Sequence, residues 1–319
     1  MEPFKWGMIG SLERALSFSA ETRYTCNPQS LQAFLPSDHN DLHVDEKLHD
    51  VTACHTVHDL LQSGIDAVYI ASPHKQHYMQ AMLCLEGGMP VLCDRPIADS
   101  TWQLADLIKL SKQNETFLME ALWIRFMPVV QKVLSVISSG LIGDVVSLKA
   151  SVYYKTGEMV LPASGDIGGG ALFELGTFPV FLSCLFLGQP TYIKATGKLA
   201  YNGEDEDFSA FLSYDMGQYA FIEASVTDQM DSFIDICGEK GNIYIRNPWS
   251  AKPEGLEVDL ADGTKMVHKS DWKGMGLYFE MDEVQACIQK GIIESPFYSH
   301  QFTMDVCQVI DKIRMQLIR

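Results

Sequence analysis

The sequence has no run of 18 apolar residues, no C-x-x-C pair and no basic-then-apolar leader pattern at its start, and it is short of positive charge. Without a long apolar run there is no candidate transmembrane helix, so no membrane partner is expected. The missing leader pattern gives no sign of secretion. The eight cysteines are scattered through 319 residues, which points to reduced thiols and a cytoplasmic location. Only 24 Lys and Arg stand against 41 Asp and Glu, a net charge of −17 that argues against nucleic acid as a partner.

What is present is an ordinary globular composition, 47% apolar and 20% charged, in a chain long enough for two domains. Residues 1–122 alternate strand and helix: strands over 5–9, 31–35, 65–71, 90–93 and 117–119, with helices over 12–21, 76–86 and 100–112 between them. That alternation predicts an α/β domain with a parallel, doubly wound sheet. Residues 123–319 read differently. A helix over 129–139, a strand over 145–154 and a glycine-led helix over 168–187 precede seven strands in series, and the tail from Gly276 is helical twice. Serial strands predict a second α+β domain with a large, open, mostly antiparallel sheet. Residues 38–58 and the acidic run Glu204-Asp205-Glu206-Asp207 read as loops, the latter as a solvated hairpin turn.

The first strand passes straight into a helix through Gly7-Met8-Ile9-Gly10-Ser11-Leu12-Glu13-Arg14-Ala15. A dinucleotide-binding turn of the form G-x-G-x-x-G needs its first glycine for the turn, its second for close approach of the pyrophosphate and its third for packing of helix on strand. Here the three positions hold Gly10, Leu12 and Ala15. Gly10 serves the turn and Ala15 the packing, while Leu12 is expected to fill space that the pyrophosphate uses. Glu13 adds negative charge where a helix N-terminus would receive phosphate.

Further along stand Ala71-Ser72-Pro73-His74 with His77, then Asp94-Arg95-Pro96, then Glu120-Ala-Leu-Trp123-Ile-Arg125, then Gly169-Gly170-Ala-Leu-Phe-Glu174-Leu-Gly176-Thr-Phe178. In order and spacing these motifs resemble the Gfo/Idh/MocA oxidoreductases, and within them the trans-1,2-dihydrobenzene-1,2-diol dehydrogenase subgroup. The resemblance spans nearly the whole chain. It implies an N-terminal Rossmann domain, a C-terminal sheet that makes a homodimer, and NAD(P)-linked hydride transfer on a sugar, diol or polyol. It also implies cofactor contacts at Gly7, Gly10, Leu12, Asp38, Ser72, His77, Asp94 and Pro96, and a substrate pocket at Trp123, Arg125 and Tyr153.

At the end of the second strand Asp38 suits NAD over NADP, because a carboxylate there holds the ribose hydroxyls. His77 reads as a helix-packing residue of this fold before a catalyst. The family's E-K-P triplet is Asp94-Arg95-Pro96 in this chain, and its D-L-G-x-Y motif is Glu174-Leu-Gly176-Thr-Phe178. A lysine can exchange a proton near neutral pH when buried, whereas the guanidinium of Arg95 stays protonated and Phe178 has no proton to give. The catalytic positions Arg95, Phe178 and Glu174 therefore leave two readings: a dehydrogenase of weak or lost activity with a relocated acid (Tyr153, Tyr154, His74 or His77), or an inactive relative serving as a small-molecule-binding or protein-interaction scaffold. Of the five histidines in residues 38–58, only His39 and His43 have H-x-x-x-H spacing, and Asn40-Asp41 between them suggest a loop, so no metal is expected.

Overall fold

A computed structural model describes residues 3–37, 48, 50–153, 170–228, 230–248 and 252–317. The apolar stretch FKWGMIG forms strand β1 (Phe4–Gly10), buried at all but one position, as expected for a strand covered on both faces. Helix α1 (Leu12–Glu21) follows at once. Its start is fixed by Ser11, whose extended backbone and side chain cap the helix by accepting the Arg14 amide. Strands β2 (Gln29–Pro36), β3 (Thr52–Ala53), β4 (Ala67–Ala71), β5 (Val91–Asp94) and β6 (Leu118–Ala121) join β1 in one sheet of order β3-β2-β1-β4-β5-β6, with every pairing parallel. Helices α2 (Val57–Leu61), α3 (His77–Glu86) and α4 (Thr101–Gln113) fall between the strands. The order reverses at β1, which lies between β2 and β4, and such switch points are where open parallel sheets bind ligands.

The second sheet has order β14-β13-β12-β11-β7-β10-β9-β8. Its strands are β7 (Val145–Tyr153), β8 (Tyr192–Leu199), β9 (Asp205–Ser213), β10 (Tyr219–Ser225), β11 (Phe233–Gly238), β12 (Gly241–Arg246), β13 (Gly255–Leu260) and β14 (Lys265–Lys269). Only β7 and β10 pair in parallel; the other pairings are antiparallel. Helix α5 (Pro128–Ser138) packs on β13. One turn of π-helix (Leu172–Gly176) runs into helix α6 (Thr177–Leu187), which packs on β7 and β10.

The chain divides into two compact units, residues 1–123 with 273–304 and residues 124–272 with 305–319. Residues 273–304 return to the first unit. Glu21 of α1 accepts the amides of Met275 and Gly276 just before helix α7 (Leu277–Gln289), and the Leu118 amide of β6 donates to the Ile293 carbonyl. Helix α8 (His300–Leu317) ends the described chain. Among the described residues, no helix is long and apolar enough to cross a membrane.

The acidic run is a correction. Asp205 to Asp207 lie in β9, and the Asp205 carboxylate accepts the Leu172 amide at 2.6 Å, capping the π-helix. Gly170 makes room for it: its φ is +72° and a Cβ there would meet the Asp205 carboxylate. Burial raises the Asp205 carboxyl above the ordinary range, so this group is a partner of the helix and not a solvated turn.

Candidate functional site

Gly10 sits at the end of β1, in register with Pro36 of β2 and Ala71 of β4. A Cβ on Gly10 would lie 2.9 Å from the Ala71 carbonyl oxygen, so only glycine lets the three strand ends close together. Beyond it, Ser11 takes the Arg14 amide with its hydroxyl and the Ala15 amide with its carbonyl. The Glu13 amide has no acceptor among the described residues, so α1 keeps an unsatisfied N–H in its first turn. Leu12 is 8% exposed; its side chain is drawn into the protein instead of standing out into solvent. A glycine-closed turn and a spare helix amide at the switch point of a parallel sheet fit a dinucleotide phosphate. Gly7 has a packing role, because a Cβ there would meet the Ile65 side chain at 2.4 Å. Asp38 and Tyr154, with His39, His43 and His49, lie outside the described residues.

Behind the turn stands a buried charged cluster that the sequence reading missed. Arg14 donates to the Asp94 carboxylate and, at 2.7 Å, to the Tyr69 hydroxyl. Tyr69 in turn donates to Asp94 at 3.1 Å. Burial, reinforced by Asp94, pushes the Tyr69 hydroxyl well above its ordinary range and keeps it a donor. Glu280 of α7 faces the same charges; burial and then Asp94 hold its carboxyl far above the ordinary range, and its Oε2 is buried without a hydrogen-bond partner. The signal for this cluster was readable: Arg14, Phe18 and Glu21 fall at i, i+4 and i+7 on the buried face of α1, and charges on an apolar stripe call for buried partners.

The loop after β5 carries Arg95, which is half-buried, and the Arg95–Pro96 peptide bond is cis. The Ser72 hydroxyl donates to Gln80 at 2.5 Å. His77 is 2% exposed, with Nδ1 2.8 Å from the Pro96 carbonyl and Nε2 2.7 Å from the Ser72 carbonyl. Both ring nitrogens are thereby engaged by the backbone. His74 reaches Asp99 at 3.8 Å. Trp123 lies in a short 3-10 helix at the end of the first unit.

In the second unit Glu174 is half-buried, while its neighbours from Ala171 to Cys184 are buried. Its π-helix turn is a geometry frequent at functional sites. Phe178 is fully buried, one turn on. Gly176 admits the Phe208 ring, which a Cβ would meet at 2.4 Å. Arg125 is buried. Tyr153 donates to Glu223 at 2.6 Å, on the sheet face opposite the buried Leu148, Ala150 and Val152, and burial with Glu223 raises its hydroxyl above the ordinary range. A tyrosine so held is a poor proton donor.

Residues 4–122 match the family model described as an oxidoreductase family with an NAD-binding Rossmann fold, and residues 130–244 match the GFO/IDH/MocA C-terminal domain. The chain is 31% identical over 261 residues to trans-1,2-dihydrobenzene-1,2-diol dehydrogenase of Xenopus tropicalis, covering 79% of this chain and 78% of that protein. Among solved structures, a 3-ketoreductase from Actinomadura kijaniata in complex with TDP-benzene and NADP, in an open conformation, superposes with a TM-score of 0.83 at 17% identity over 99% of this chain and 98% of that one. An oxidoreductase from Agrobacterium radiobacter in complex with NAD+, L-tartaric acid and magnesium gives a TM-score of 0.83 at 17% identity, over 99% and 96%.

Proposed function

The chain belongs to the GFO/IDH/MocA oxidoreductase family, and on that premise we propose that it moves a hydride between NAD(P) and a carbinol carbon of a small diol, sugar or polyol. The nucleotide, when bound, supplies the hydride acceptor or donor. The chain's part is to hold it and to orient the substrate. Gly10 and the spare Glu13 amide receive the pyrophosphate at the head of α1. Asp38, which follows β2 in the sequence, supports NAD over NADP.

Arg95 anchors the substrate oxygen by charge and hydrogen bonding and keeps its own proton. Oxidation of an alcohol also releases the hydroxyl proton, and neither Arg95 nor Phe178 can take it. Glu174 is the base best suited by chemistry, and a slow reaction follows from the loss of the lysine and tyrosine of the family pattern. The second reading, an inactive binding scaffold, draws on the same two substitutions. The glycine-closed turn at the switch point of the parallel sheet, directly before the head of α1, carries the preference for a working site.

The exposed face of the eight-stranded sheet supports a homodimer. Phe221 and Phe211 are cross-strand neighbours, both exposed, and Phe211 stacks on Tyr219. The activity is tested by following NADH and NADPH absorbance with a panel of vicinal diols and sugars. Arg95→Lys is expected to raise the rate at least tenfold. A wild type and an Arg95→Lys variant both silent on every substrate, with nucleotide bound, would favour the scaffold.

A further inference from the structure

Residues 94–97 form the loop that presents Arg95, and buried groups from four other elements grip it. Arg14 and Tyr69 hold the Asp94 side chain. The His77 ring, at the head of α3, lies 2.8 Å from the Pro96 carbonyl and 2.7 Å from that of Ser72, the residue that follows β4. Glu120 of β6 accepts the Ile97 amide on Oε1 at 3.0 Å and the Tyr298 hydroxyl on Oε2 at 2.5 Å. His77, Glu120 and Tyr298 are all buried.

We propose that His77 and Glu120 are positioning residues for Arg95: a buried imidazolium–carboxylate clamp that locks the two loops after β4 and β5 together. The hydrogen-bond inventory requires the charge. A carbonyl oxygen only accepts, so a ring between two carbonyls satisfies both only when both nitrogens carry hydrogen. A neutral ring would leave a lone pair facing an oxygen at hydrogen-bond distance. A buried cation needs a buried counter-charge, and Glu120 is the carboxylate of this network: burial raises its carboxyl above the ordinary range, and the Tyr298 and Ile97 donors and the charges of Arg95 and His77 work against that rise. The clamp acts on backbone atoms, so it sets where the Arg95 Cα stands without touching a ligand. Its connection to catalysis rests on the function proposed above; its existence does not.

The test uses the full chain, labelled with 15N and free of nucleotide, at pH 7. The His77 ring is expected to show hydrogen on both nitrogens. In His77→Phe the Ile97 amide should exchange at least tenfold faster, while the amides of Ala220 and Ile222 in β10 keep their rates. His77→Gln keeps one donor nitrogen, which can reach only one of the two carbonyls, and should restore part of the protection. A ring with a single N–H, or an Ile97 amide indifferent to His77→Phe, would overturn the clamp. The same variants are then titrated with NADH and NADPH, with affinity expected to fall at least tenfold in His77→Phe and less in His77→Gln. Loosened amides with unchanged affinity would overturn the positioning role. A wild type that binds neither nucleotide would sink the proposed function alone, since the spectra still decide the clamp.

Discussion

The strand ends of the first unit and helix α6 of the second treat buried polarity in opposite ways. Around its strand ends the first unit buries Arg14, Glu120 and His77 and binds them to side chains or backbone of other elements. The second unit builds helix α6 from eight buried residues in succession, none charged, and the hydroxyls of Thr177 and Ser183 turn back to carbonyls of their own turn, at 2.9 and 2.8 Å. A site made of cross-element ionic bonds is sensitive to single charge changes, while one made of apolar packing is sensitive to volume.

The largest expected effect breaks the ionic side. Arg14→Met leaves Asp94 beside Glu280 with no cation, and denaturant unfolding should show a loss of about 3 kcal/mol. Adding Asp94→Asn should recover part of that loss, because the two residues are coupled. In the second unit Gly176→Ala drives a Cβ into the Phe208 ring and should cost about 2 kcal/mol by the same measurement.

Glu280 sharpens the comparison through pH. Its carboxyl is raised in the fold, so the folded state holds a proton that the unfolded chain releases. Its stabilising contribution is complete below the ordinary glutamate range and is lost as pH rises towards the folded value. Glu280→Gln should therefore flatten the decline of stability on the alkaline side, read from unfolding midpoints between pH 5 and about 9. The smallest effect is that of Ser11→Ala, which removes the cap of α1 and should cost about 1 kcal/mol.

Much of the fold was legible because its signals are local. Helix α1 and strands β10, β11 and β12 fall where periodicity, glycine and turn residues place them. The return of residues 273–304 to the first unit was not legible, since helical periodicity in α7 says that a face is buried and not against what. Asp205 was read as solvated because a run of acids is usually a wet turn, and its partner, the Leu172 amide, is 33 residues away. Leu12 was legible as the residue at the second glycine position, and it is buried in the fold. His77 was visible as a motif residue, whereas the two carbonyls that engage it come from separate loops.

Nucleotide binding at the head of α1 is the most direct measurement. Titration of the full chain with NADH and with NADPH, followed by nicotinamide fluorescence, should give saturable binding of at least one at or below about 1 mM. A folded protein, verified by circular dichroism, that saturates with neither would contradict the claim that Gly10 and the Glu13 amide still form a dinucleotide site despite Leu12.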